Sequence, residues 1–244
     1  VLPPGVPPEL VANGAANENP RFVLHLGDLF YCKTSSSSTG QLCVDKFFNT
    51  TIKNLAASAL YMASTGNHEY NQPDNLFTYV GRFDYPGAQI GTGCLSSTGC
   101  SPVQESGDET WYSFNWGNAH FVSIDLGPSG QGDYNLDTGD TRYNWLKTDL
   151  ETARSDPKIA WVIVYMHYPF YVTKSVSHGP DRADRAKLEP LFNAAASKVD
   201  LVLAGHQHAY ERTLPVAGEG GLIDPLSCGS SPWPTCSDPK YPIY

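Results

Sequence analysis

The sequence predicts an α/β domain with a largely parallel sheet core and one antiparallel strand pair. Three observations carry that expectation. Four strand-like runs, "RFVLHL", "LYMAST", "IAWVIVYM" and "VDLVLA", alternate with helical segments. The runs are almost continuously apolar, the pattern of strands covered on both faces. Each run ends at a cluster of polar, chemically active residues.

In chain order, "VPPELVANGAAN" reads as a short helix entered through prolines. "RFVLHL" is the first strand. "DKFFNTTIKNLAASAL" is a helix, with Phe47, Ile52, Leu55 and Leu60 near helical spacing. "LYMAST" is the second strand. Positions 71–108, rich in Gly, Ser, Pro and Cys, are expected to be loop. "TWYSFNWGNAHFVSIDL" is two strands about a "WGN" turn. "DTRYNWLKTDLETARS" is an amphipathic helix with an Asp at its N-cap. "IAWVIVYMH" is a buried strand. "DRADRAKLEPLFNAAASK" is a helix bent at Pro190, and "VDLVLAGHQH" is the last clear strand. The closing "YPIY" starts another. No repeat or linker divides the chain, so residues 1–244 are expected to form one domain.

Bulk properties narrow the class. Of 244 residues, 41% are hydrophobic and 17% charged, a globular composition. No apolar run reaches membrane-span length, and no membrane partner is expected. The net charge of -9 lacks the basic footprint of a nucleic-acid binder. An anionic substrate would therefore need local positive charge, which metal ions supply. The six cysteines form three close couples, Cys32/Cys43, Cys94/Cys100 and Cys228/Cys236, with no CxxC. Local disulfides in an oxidising compartment are expected, each worth roughly 2–3 kcal/mol. A sequon at Asn49, "NTT", agrees with secretion.

In an α/β sheet, ligands bind beyond the carboxyl ends of the strands. There the chain places "GDLFY", "GNHE", "MHYPFY" and "GHQH". These four strand ends carry Asp28, Tyr31, Asn67, His68, His167, His206 and His208. Carboxylate, phenol, amide and imidazole together suit hard to borderline cations. Two cations sharing Asp28 would account for so many donors. Tyr31 adds a distinction. A phenol, with pKa near 10, stays neutral in acid, and a trivalent ion displaces its proton where a divalent one seldom does. Asp-x-x-Tyr therefore points to Fe(III). Any one of these residues alone would be read as packing or a turn; the four segments in order carry the argument. His25, within a strand, and His120, within a hairpin, are read as structural.

From Arg21 to Arg212 the chain resembles the purple acid phosphatases of the calcineurin-like metallophosphoesterase superfamily. The matching elements are "GDLFY", "GNHE", "MH" after a strand and "GHQHAYER", with "WYSFNWGNAHFVSID" and "YNWLKTDLE" between. The resemblance implies an αββα sandwich with mixed sheets and the metal site at the strands' carboxyl ends. It implies Fe(III) plus a divalent metal (Zn, Fe or Mn). Asp28 would bridge both ions, Tyr31 and His208 would bind Fe(III), and Asn67, His167 and His206 the divalent ion. His68 would contact phosphate, and His178 roughly matches a histidine near the leaving group. The implied activity is acid hydrolysis of small phosphomonoesters through a metal-bound hydroxide. A secreted, extracellular or vacuolar/lysosomal location is expected. The family's earlier D-x-G motif does not occur before "GDLFY". The helix at "VPPELVANGAAN" would be the crossover from a strand preceding Val1, so the chain is expected to be truncated at both ends. Two other readings stay open: a phosphodiesterase or nucleotide pyrophosphatase on the same site, and a non-catalytic metal- or phosphate-binding protein.

Overall fold

The fold was analysed in a computed structural model, which describes residues 7–31, 37–70, 76–83, 85, 110–128, 136–172, 179–213, 215–216 and 242–244, with backbone alone for 37–41 and 77–78. In order these form α1 (Pro8–Asn17), β1 (Phe22–His25), α2 (Ser37–Lys46), α3 (Lys53–Ala56), β2 (Leu60–Ala63), α4 (Asn67–Tyr70) and α5 (Phe77–Val80). Then follow β3 (Tyr112–Trp116), β4 (Ala119–Ile124), α6 (Thr141–Ser155), β5 (Trp161–Met166), α7 (Arg182–Asn193) and β6 (Leu201–Ala204).

Two sheets result. β1 and β2 pair in parallel. The second sheet runs β3-β4-β5-β6, antiparallel between β3 and β4 and parallel thereafter. The antiparallel pair is the expected hairpin, turned at Gly117, whose φ of 62° suits a residue without Cβ. Ile243 bridges Leu201 in parallel, where "YPIY" was read as the start of a strand.

Side-chain alternation sorts the layers. Phe22 and Leu24 of β1 and Met62 of β2 pack against Phe121, Tyr112 and Tyr165 of the second sheet. On that sheet's other face, Val122, Ile124, Val162, Val164 and Val202 meet Leu146, Leu150 and Ala153 of α6 and Leu188, Leu191 and Phe192 of α7. On the outer face of the small sheet, Val23 and Tyr61 meet Ala12 of α1 and Ile52 and Leu55. The order is helices, sheet, sheet, helices. Burial of these apolar faces, at roughly 25 cal/mol per Å², drives the assembly.

Two helix readings are corrected. The single helix expected over 45–60 is interrupted by a wide turn, Phe47–Thr51, closed by Ile52 N–H donating to the Phe47 carbonyl at 3.0 Å. Asn49, Thr50, Thr51 and Ile52 are weak helix formers, and three of them are β-branched. The helix expected to reach Lys198 ends at Asn193, with Ala194 extended. Its last carbonyls are taken from outside: Val199 N–H donates to Phe192 and the Ser197 hydroxyl to Leu191. The loop expected at 71–108 contains α5, and most of that stretch lies outside the described residues.

His120 ties the hairpin to α6. Its Nε2 lies 2.8 Å from Asp149 Oδ2 and its Nδ1 2.6 Å from Asn115 Oδ1. Cys43 is disulfide-bonded; the other five cysteines, and with them the pairings, lie outside the described residues. No helix among the described residues is long and apolar enough to cross a membrane.

Candidate metal centre

β1, β2, β5 and β6 all run the same way within their sheets, so their carboxyl ends share one edge of the sandwich. Asp28 follows β1, Asn67 opens α4 just past β2, His167 ends β5 and His206 follows β6. Asp28, His167 and His206 each bring a ligand atom within 4.8 Å of the others. His167 Nε2 lies 3.1 Å from Asn67 Oδ1, 3.1 Å from His206 Nδ1 and 3.3 Å from Asp28 Oδ2.

The tautomer is set from behind. His167 Nδ1 lies 2.7 Å from the Leu26 carbonyl, which can only accept, so Nδ1 carries a proton. In the neutral ring Nε2 is then a bare lone pair facing a carboxylate oxygen, an amide oxygen and another imidazole nitrogen. A cation at the centre would satisfy all of these lone pairs at once. Donors about 2.0–2.2 Å from one ion stand roughly 3 Å apart, which is the spacing seen. The residues present fit a divalent metal.

Burial works against the charge on Asp28, but hydrogen bonding and the charge of His167, with help from His68, hold its carboxyl down at about 2. Asp28 is thus ionised, and able to bind a cation, in mildly acid solution as at neutral pH. Asp28 and His206 both adopt left-handed backbone, φ 57° and 59°, which costs roughly 1–3 kcal/mol each. Gly66 lets the two small-sheet loops touch: a Cβ there would sit 2.5 Å from Asp28 Oδ1 and 2.6 Å from Asp28 N.

Glu69 holds the Asp28 turn in place, a role its sequence position did not disclose. It is fully buried. Its Oε2 accepts from Asp28 N–H at 2.8 Å and Gly66 N–H at 2.7 Å; its Oε1 accepts from Leu29 N–H at 2.7 Å and Phe30 N–H at 3.2 Å. Burial pushes its carboxyl up to about 7, while the Gly66 N–H pulls the other way and the Asp28 charge adds to the rise.

The remaining sequence candidates sit differently. The Tyr31 hydroxyl donates to Asp28 Oδ2 at 3.3 Å, and its ring lies 4.0 Å from that of His68. Burial and the Asp28 charge push the phenol up to about 12, so without a strong Lewis acid it keeps its proton. His68 N–H donates to Asp28 Oδ1 at 3.0 Å, which fixes the backbone at that imidazole. His208 is exposed and lies outside the Asp28–His167–His206 trio. His178 lies outside the described residues. Sequence reasoning also passed over Tyr168, whose ring packs 5.1 Å from His167 and 4.7 Å from His206. Its only signal was its place beside His167.

The sequence profile of the calcineurin-like phosphoesterases matches residues 8–210. The chain belongs to that family. Within it, an uncharacterized protein of Mycobacterium tuberculosis is 33% identical over 213 residues, covering 83% of this chain and 36% of that protein. Purple acid phosphatase 21 of Arabidopsis thaliana is 30% identical over 196 residues, covering 78% and 38%. The calcineurin-like chain thus spans well under half the length of these relatives. A solved structure of PhoD superposes with a TM-score of 0.58 at 15% identity, over 84% of this chain and 49% of that one, a likeness of fold. The phosphoesterase family and its purple acid phosphatase members agree with the donor set: this is a metallophosphoesterase fold with a site built for a metal.

Proposed function

We propose that this chain is the catalytic part of a binuclear-metal acid phosphatase that hydrolyses small phosphomonoesters. The observation that carries the reading is the convergence of Asp28, Asn67 and His206 on His167 Nε2, each with a donor atom 3.1–3.3 Å from it. Asn67, His167 and His206 would hold a divalent ion (Zn, Fe or Mn), Asp28 would be shared, and Tyr31 with His208 would hold Fe(III). Cations bound there would offset phosphate charge and acidify a coordinated water, which a protein of net charge -9 otherwise lacks the means to do.

The chain's own residues do the rest. Asp28 stays charged in acid. Leu26 keeps the lone pair of His167 pointed inward. His68, whose ring lies 4.0 Å from that of Tyr31, would bind phosphate and hand a proton to the departing alkoxide. His178 is assigned the same leaving-group side on the family resemblance alone. The Cys43 disulfide supports an oxidising setting, secreted or vacuolar/lysosomal.

The test is metal content together with hydrolysis of p-nitrophenyl phosphate and of bis-p-nitrophenyl phosphate at acid pH. The proposal expects two metals per chain, preference for the monoester, and loss of turnover in Asp28→Asn. Preference for the diester would give the phosphodiesterase reading instead. Two bound metals with neither ester cleaved would leave a binding protein.

A further inference from the structure

Asp125 stands one residue past β4 and supplies no ligand to the metal centre, yet it is only 1% exposed. A buried carboxylate persists only when its lone pairs are met. Here they are. Oδ1 accepts from the Thr65 hydroxyl at 2.8 Å and from Gly127 N–H at 2.9 Å. Oδ2 accepts from the Tyr70 hydroxyl at 2.5 Å and from Arg142 at 3.1 Å. Arg142 lies over the Trp111 ring, 5.2 Å from its centroid, and supplies the counter-charge.

The donors are placed tellingly. Thr65 and Tyr70 bracket the Asn67–His68 turn, two residues before Asn67 and three after it. That turn belongs to the small sheet, whereas His167 and His206 belong to the large one, as does Asp125. The 3.1 Å spacing between Asn67 Oδ1 and His167 Nε2 is therefore a distance between sheets. Asp125 grips the small-sheet turn at both ends from the large sheet.

We propose that Asp125 is a positioning residue: through Thr65 and Tyr70 it fixes Asn67 at ligand distance from His167 and so sets the affinity of the site for a divalent cation. This rests on the metal-centre reading above. Outer partners of this kind typically change metal affinity about 10- to 100-fold.

Because Asp125 is buried and paired with Arg142, the test removes its donors rather than the carboxylate. Zn²⁺ binding to the chelator-stripped chain is measured by calorimetry for wild type, Thr65→Val, Thr65→Ser, Tyr70→Phe and Leu150→Ala. The expected result is Zn²⁺ affinity about 10- to 100-fold weaker in Thr65→Val and Tyr70→Phe. Thr65→Ser, which keeps the hydroxyl, should bind like wild type. Leu150→Ala, a core cavity in α6 away from the turn, should lower the unfolding midpoint but leave Zn²⁺ affinity intact. Wild-type affinity in both Thr65→Val and Tyr70→Phe would overturn the positioning role alone. A loss in Leu150→Ala as large as theirs would also overturn it, making the effect one of general stability. A wild-type chain that takes up no Zn²⁺ would sink the metal-centre reading and this inference together.

Discussion

Glu69 and Asp28 are coupled through the main chain: the Glu69 carboxylate accepts the N–H of Asp28 at 2.8 Å and of its two successors. A glutamate in the second loop thereby holds a left-handed aspartate in the first, where a carboxylate must aim at the centre. In Glu69→Gln an amide NH₂ would face backbone N–H groups, leaving buried donors unmet. Each such donor costs about 1–3 kcal/mol. Urea unfolding should show a loss on that scale, and the variant should retain less metal after dialysis. Wild-type stability in the variant would mean the four hydrogen bonds do not hold the loop.

Gly66→Ala probes the same contact sterically. The added Cβ would lie 2.5 Å from Asp28 Oδ1 and 2.6 Å from Asp28 N, and a main-chain nitrogen has nowhere to swing. Metal binding should fall more than fold stability does, as read by calorimetry beside circular dichroism. A variant with intact metal affinity would show the two loops to be more compliant than the packing implies.

Tyr31→Phe separates a ligand role from a packing role. Tyr31 is 57% exposed, so losing its hydroxyl should change stability by less than about 0.5 kcal/mol. If the phenol binds Fe(III), the visible charge-transfer band of the loaded protein should vanish in the variant. A band of unchanged position and intensity would remove Tyr31 from the iron.

His25 gives a pH prediction. Its Nδ1 is buried with no hydrogen-bond partner among the described residues, and burial, aided by the charge of His167, lowers its pKa to about 4. The folded chain thus holds His25 neutral where the unfolded chain would protonate it near 6.5. A depressed folded pKa contributes stability above the unfolded value, lost as pH falls toward the folded one. Between pH 6.5 and 4 the metal-free chain should lose roughly 3 kcal/mol from this residue. His25→Phe, between Phe47 and Tyr61, should flatten that slope in denaturation curves taken across the range. An equal slope in both proteins would clear His25 of the effect.

The sequence made the strands and the four strand-end clusters legible because both depend on local order: apolar runs, a glycine, then donors. Asp28, Asn67, His167 and His206 needed no knowledge of sheet order beyond the rule that parallel strands end together. What stayed hidden depends on distant partners. Nothing near Asp125 in the chain reports Thr65 and Tyr70, which lie 60 and 55 residues away. Glu69 stood inside a quoted motif, yet its partners lie some 40 residues upstream. The break at Phe47–Thr51 was missed for a different reason: apolar spacing carried the helix reading across weak helix formers.

The four converging donors come two from each sheet, Asp28 and Asn67 from one and His167 and His206 from the other. An ion held among them would rivet the two halves of the sandwich along their shared rim. Loading should then slow amide hydrogen exchange in β1 and β5 alike, even though no hydrogen-bonded ladder joins them.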